Sequence, residues 1–357
     1  MKKLLPLLMA LAMSASLLSG CSTEKEKSAS QTESSAKAEE TSAKAADESS
    51  KTASGNAKES YTLKVGSLKG PTSMGLVELM DKSEKGNAKG SYEFTMVTAA
   101  DELLGKIVNG DLDIALVPAN MASIIYNKTD REVNVLDINT LGVLYAVSAD
   151  DSIKSTADLK GKTIYLTGKG TTPDYVLSHV LLENGLSTDD VTLEYKSEPA
   201  EVAAILKEKP EAVGLLPQPF VTAALAQNDS LKMVLDLTKE WDLVSGEDGG
   251  SLVTGVTICR SGILKEQEEA VQTFMAEHKE SAEYANANVA ETAALVAAAG
   301  IIEKAPIAEK AIPFCSITYA DGDKMKSMMS GYLKVLFDMD PSTVGGVLPE
   351  DDFYYMQ

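Results

Sequence analysis

Tyr61-Thr-Leu-Lys-Val-Gly-Ser-Leu68 alternates apolar and polar residues as a strand does. It runs straight into Lys69-Gly70-Pro71-Thr72-Ser73-Met74-Gly75 and then the periodic apolar stretch Leu76, Val77, Leu79, Met80. The order is strand, small-residue turn, helix, and the following residues repeat it. Tyr92-Glu-Phe-Thr-Met-Val97 reads as a strand, Ala99 to Val108 as a helix, Leu112 to Pro118 as a short buried strand, and Met121 to Tyr126 as a helix opened by Pro118-Ala119-Asn120. A second cycle follows Val133–Ile138 and Leu141–Val147: the strand Leu159–Thr167, the turn Gly168-Lys169-Gly170-Thr171-Thr172-Pro173, and a helix from Asp174 to Asn184. Strands separated by helices predict an α/β protein with parallel sheets. Val253–Cys259, a long helical region from Lys265 to about Ala299, and the amphipathic Gly322–Phe337 read as a return of the chain to the first half.

Four turns stand out as places to hold a ligand. Two follow Gly/Ser/Thr/Lys-rich strand ends, at 68–74 and 168–172, and two contain proline, Val117-Pro118-Ala119-Asn120 and Leu215-Leu216-Pro217-Gln218-Pro219. Each feeds a helix N-terminus, whose free N–H groups suit a polar or anionic small molecule, and open α/β sheets bind ligands at the carboxyl ends of their strands. The candidate ligand-binding residues are therefore Lys69, Gly70, Thr72, Ser73, Met74, Asn120, Gly170, Thr171, Thr172 and Gln218. Two aromatic residues join them: Tyr145 on the strand that crosses between halves, and Trp241, the only tryptophan, with two readings open, a platform for a planar ligand or a residue of the core or lobe surface. His179 reads as a helix-face residue, and His278, inside Glu277-His-Lys-Glu280, as solvated.

Composition narrows the chemistry. Lys and Arg number 33 against 53 Asp and Glu, a net charge of −20, which argues against a nucleic-acid partner. Two histidines and three cysteines, with no CxxC or HExxH spacing, leave little from which to build a metal site or a histidine-dependent catalytic centre, so no metal, cofactor or catalytic residue is expected.

The chain opens with Lys2, Lys3 and an apolar run from Leu4 to Leu18, which reads as a signal peptide over residues 1–20. Leu18-Ser19-Gly20-Cys21 resembles the bacterial lipobox, implying lipidation of Cys21 and a protein anchored on the extracellular face of the cytoplasmic membrane. From Ser22 to about Ser60 there is no aromatic or branched aliphatic residue, so residues 21–60 read as a lipidated cysteine and disordered tether. Cys259 and Cys315 then remain, with two readings open: a disulfide, or two buried free thiols.

The stretches 65–80, Gly110-Asp-Leu-Asp-Ile-Ala-Leu-Val-Pro-Ala-Asn120, Ser155-Thr-Ala-Asp-Leu-Lys-Gly-Lys-Thr-Ile164 and Gly214-Leu-Leu-Pro-Gln-Pro-Phe220 together resemble the solute-binding proteins of bacterial ABC importers. The nearest branch is the one serving thiamine precursors, aliphatic sulfonates, taurine and nitrate. The resemblance implies a two-lobed, periplasmic-binding-protein-like (type II) α/β fold whose interlobe cleft closes by hinge motion. Its lobes would be 61–144 with 253–357, and 145–252. It also implies a monomer that delivers a small molecule to an ABC permease, the ligand being a planar heteroaromatic or pyrimidine-like compound or a small sulfonate-type anion. Two other functions stay open: an enzyme on the same scaffold, as in thiamine or menaquinone pathways, and a surface receptor for a protein partner.

Overall fold

The opening strand-turn-helix forms as the alternation predicts. β1 (Thr62–Leu68) leads through α1 (Pro71–Met74) into α2 (Val77–Glu84), then β2 (Ser91–Val97), α3 (Ala100–Val108), β3 (Ile114–Pro118), α4 (Ala119–Lys128) and β4 (Val133–Leu141). The computed structural model describes residues 61–98, 100–245 and 250–356; the signal segment, Cys21 and the tether lie outside the described residues. After β4 the chain crosses to a second sheet. It forms β5 (Leu144–Ser148), β6 (Thr163–Thr167), α5 (Thr172–Glu183), β7 (Thr192–Lys196), α6 (Pro199–Glu208), β8 (Val213–Pro217), α7 (Phe220–Gln227), β9 (Lys232–Asp236) and α8 (Leu237–Ser245). It then returns as β10 (Val253–Arg260), α9 (Ser261–Glu266), α10 (Glu268–Ala287), α11 (Val289–Ala298), α12 (Ala305–Ala311), β11 (Ile317–Ala320) and α13 (Gly322–Met339).

The first sheet has the order β11-β4-β10-β3-β1-β2 and the second β7-β6-β8-β5-β9. Both are mixed, which corrects the expectation of parallel sheets. β1 pairs parallel with β2 and β3, and β6 with β7 and β8, through helical crossovers. The strands at the lobe crossings run the other way: β10 is antiparallel to β3 and β4, and β5 to β8 and β9. Helix patterning gives no warning of this, because β5 and β10 enter their sheets from the neighbouring lobe.

The long helical region from Lys265 to about Ala299 is built of three helices, because Gln267 and Asn288 leave helical geometry (ψ 35° and 63°). Among the described residues no helix is long and apolar enough to cross a membrane.

One continuous apolar cluster joins the lobes. It holds Val117, Ile125 and Val256 of the first, Leu166, Leu181 and Trp241 of the second, and Met329, Tyr332 and Leu333 of α13. α13 thus begins beside the first sheet and packs on α5 of the second lobe.

Cys259 and Cys315 are free and buried in separate clusters, so the disulfide reading is corrected to the thiol reading. Burial pushes the Cys315 thiol up to about 12 and the Cys259 thiol higher still, which keeps both unreactive. Alkylation of the denatured chain without reductant, followed by peptide mass mapping, should label both cysteines. Labelling that appears only after reduction would disprove the assignment.

Candidate functional site

At the carboxyl end of β1 the hydroxyls of Thr72 and Ser73 both donate to the Leu68 carbonyl, at 3.1 and 2.6 Å. Their protons are therefore used in closing the turn. Met74 is fully buried among Val77, Ala282 and Ile312 and belongs to the core. What this turn presents outward is backbone and one cation. Gly70 adopts φ 155°, a glycine conformation, with nothing within 4 Å of the position a Cβ would take. Lys69 is exposed and makes no ion pair among the described residues.

The first proline turn is more inward than the sequence suggests. Asn120 Nδ2 donates to the Thr343 carbonyl at 3.2 Å, and its α4 neighbours Ser123 and Asn127 donate to the Val344 carbonyl at 2.7 and 3.0 Å. Asn120 thus fastens the 341–347 segment to the first lobe.

In the second lobe, Gly168 and Gly170 take positive φ (74° and 69°), and the loop closes on itself through Thr171 Oγ1 to the Gly168 carbonyl at 2.6 Å. The carboxylate of Asp174 accepts from the Gly170 N–H at 2.8 Å and from the Tyr195 hydroxyl at 2.7 Å. The Asp174 carboxylate thus ties the 168–171 loop to β7. Lys169 Nζ lies 5.4 Å from the centre of the Tyr195 ring. Thr172 reaches inward to the Tyr332 hydroxyl of α13.

The second proline turn carries the least satisfied group. Gln218 is 1% exposed, its N–H donates to the Val143 carbonyl at 3.0 Å, and its Oε1 accepts from the Thr222 hydroxyl at 2.8 Å and N–H at 3.3 Å. Its Nε2 has no partner.

Tyr145 bridges the lobes. Its hydroxyl donates to the Phe314 carbonyl at 3.0 Å, and the two rings meet edge to face at 6.4 Å. Ser316 Oγ donates to the Gly142 carbonyl at 2.7 Å beside it, so the 142–143 crossing is held from the first lobe. Burial drives the Tyr145 phenol well above its ordinary range.

Trp241 lies in the core, which selects the core reading over the stacking platform. It is 0% exposed, enclosed by His179 (4.6 Å) and Tyr332 (5.6 Å), and its indole N–H donates to the Gly250 carbonyl at 3.2 Å. His278, expected in solvent, is fully buried between Phe274 and Tyr319, with Nδ1 3.4 Å from Asp137. The missed signal is the 3/4 spacing Val271, Phe274, Met275, His278, Ala282, Ala285, which puts His278 on the apolar face of α10.

His179 is largely buried, and desolvation lowers its pKa below the ordinary 6.5 against a smaller upward pull from Glu183. The neutral form is therefore favoured in the fold. Stability is unaffected above pH 6.5 and declines as pH falls from there toward the folded pKa, with a slope of at most about 1.4 kcal/mol per pH unit for one group. Chemical denaturation between pH 7 and 5 should show this decline, flattened in His179→Gln; equal slopes in both proteins would refute it.

Two surface hollows lie away from these turns. One, of about 280 Å³, is at the amino ends of β1 and β2, with Tyr61, Tyr92 and Glu268 in its wall; the other, of about 490 Å³, lies between α10 and Tyr355. Among the described residues no group of three or more His, Cys, Asp or Glu is placed to hold a metal ion.

Residues 133–292 match the family model described as NMT1/THI5 like. Among solved structures, an ABC transporter from Parabacteroides distasonis is similar with a TM-score of 0.70 and 22% identity, over 83% of this chain and 99% of that one. The periplasmic aliphatic sulphonate binding protein SsuA from Escherichia coli is similar with a TM-score of 0.64 and 17% identity, over 80% and 95%. Proteins of Brucella abortus and Brucella melitensis that carry the name of binding proteins are 25% identical over 210 residues, 58% of this chain. The matched stretch spans 63% of the length of those relatives. The fold is the two-lobed type II periplasmic-binding-protein fold.

Proposed function

We propose that the protein is the solute-binding component of an ABC import system. It captures a small organic molecule between its lobes and presents it to a membrane permease, with no reaction of its own. The observation that carries this reading is the arrangement around the crossings. Turns at the carboxyl ends of β1, β3, β6 and β8 feed helices, and among the described residues Tyr145 to Phe314 and Ser316 to Gly142 and Leu141 tie the lobes at the first crossing. Such a joint permits closure on a solute that adds hydrogen bonds from both sides. The relatives named as binding proteins support the same reading.

A small sulfonate-type or heterocyclic solute belongs to this proposal, the former supported by SsuA among the neighbours. Lipidation at Cys21 and a position on the outer face of the cytoplasmic membrane belong to it as well; a fatty-acid label lost in Cys21→Ala would support the anchor. The direct test is a thermal-shift screen of the full chain against sulfonates, nucleobases, thiamine precursors, nitrate, vitamins and amino acids. A solute at a hundredfold its Kd stabilises the native state by about 2.7 kcal/mol. A clear upward shift supports capture. Turnover of the hit would move the protein to the enzymes on this scaffold, and a panel without any shift would count against solute capture.

A further inference from the structure

The larger hollow, of about 490 Å³, lies on the first lobe between α10, the end of β11 and the last residues of the chain. Its floor is one face of α10, where Gln272, Met275, Ala276 and Lys279 recur at helical spacing. Ala276 is exposed and small, so a larger side chain there would project into the space. Tyr319 and Asp321, at the end of β11, complete the lining with Tyr355, whose N–H donates to the Val135 carbonyl at 2.9 Å and fixes the chain end against β4.

Two opposite charges line this hollow, Lys279 and Asp321, and among the described residues neither makes an ion pair. Lys279 lies instead over the Tyr319 ring, its Nζ 5.8 Å from the centre. Asp321 is the N-cap of α13, a place where a carboxylate ordinarily accepts from the first N–H groups of the helix, yet its side chain makes no such bond. Asp340, at the following N-cap, does so, accepting from the Ser342 N–H at 2.9 Å. The other carboxylate at the hollow, Glu268, accepts from the Gln272 amide at 3.3 Å. An uncommitted ammonium and an uncommitted carboxylate are thus set apart around the apolar surface of Met275, Ala276 and Tyr319.

We propose that this hollow is a binding site in its own right and that its ligand is a small zwitterion with an apolar body, an α-amino acid of the leucine type. The carboxylate of the ligand meets Lys279, its ammonium meets Asp321, and its hydrocarbon part lies on Met275, Ala276 and the tyrosine rings. The two charges select against molecules that carry only one. An anion that reaches Lys279 leaves Asp321 opposing it, and a cation that reaches Asp321 leaves Lys279 opposing it. The site stands apart from solute capture between the lobes, because none of the turns at the crossings contributes to it.

The test is titration calorimetry of the purified full chain at pH 7 with leucine, pentanoate and pentylammonium. Wild type is expected to bind leucine about tenfold more tightly than either singly charged probe, the difference one charge-assisted hydrogen bond makes. Lys279→Met should weaken leucine about fivefold or more and bring it level with pentylammonium. Asp321→Asn, which keeps a good N-cap residue for α13, should weaken it as much and bring it level with pentanoate. Ala276→Trp, a change at an exposed helix position, should abolish binding by filling the hollow while leaving the melting temperature near that of wild type. Leucine bound equally well by all three variants, as it would be at the interlobe turns, would overturn the proposal and leave solute capture standing. A wild type that takes a singly charged probe as tightly as leucine, or that binds none of the three, would overturn it too.

Discussion

Gly250→Ala is expected to destabilise the protein by about 3 kcal/mol or more, enough to lower the melting temperature by roughly 6–12 °C for a body of this size. Gly250 stands just before β10, where the chain returns to the first lobe, and has φ 62°, a conformation costly for any residue with a Cβ. Space is the larger problem. The added carbon would lie 2.5 Å from the Met328 carbonyl oxygen and 2.8 Å from the Tyr332 nitrogen, both backbone atoms of α13. No side chain can swing aside to admit it. Relief requires moving α13 or the return segment, and moving that segment displaces the carbonyl that receives the Trp241 indole. Gly300 provides the control: its φ is 68°, but the nearest atom to its Cβ position is the Lys69 ammonium at 3.8 Å. Gly300→Ala should therefore cost only about 1 kcal/mol, from the backbone preference alone. Denaturant unfolding that found the two variants equally stable would show that α13 does not brace the crossing.

Trp241→Ala should cost about 3–5 kcal/mol, the range for deleting a fully buried large aromatic side chain. The ring is shared by three elements: α8 carries it, α5 supplies His179, and α13 supplies Tyr332. Removing it opens a cavity between the second lobe and α13, and leaves the Gly250 carbonyl without its donor. Trp241→Phe should recover most of the packing but not that hydrogen bond. Because the chain has one tryptophan, its fluorescence reports this seam alone. The measured quantity is the midpoint in denaturant; a loss below about 1 kcal/mol for the Ala variant would mean that the seam is looser than its contacts imply.

The sequence reveals the skeleton better than the use of its side chains. Alternation in 61–68 and the apolar run at 114–118 follow directly from one-sided or full burial of a strand, so β1 and β3 are legible from a short window. The turns that end them are legible too, because glycine and proline punctuate locally. Which atoms those turns leave free is not a local matter. Asn120 finds its partner at Thr343, more than two hundred residues on, and Trp241 is enclosed by α13, which is formed after β11. Thr72, Ser73 and Thr171 could be assigned as capping groups from sequence, but their preference for the carbonyls of Leu68 and Gly168 over a ligand depends on the turn geometry. Gln218 was legible as a candidate; the unpaired state of its nitrogen was not.

The position of β10 in the first sheet has a consequence for how the molecule comes into being. It lies between β3 and β4, pairing Val256 with Val117 on one side and Thr257 with Asp137 on the other. β3 and β4 come first in the chain, yet they cannot be joined until residues 253–260 pair between them. The second sheet, drawn wholly from residues 144–236, has no such wait. The middle of the chain can therefore assemble while the lobe that starts the folded body still presents two unpaired strand edges, open to pairing with other chains. The second lobe draws its sheet from one stretch of chain, whereas the first completes its sheet only with strands contributed after the chain returns.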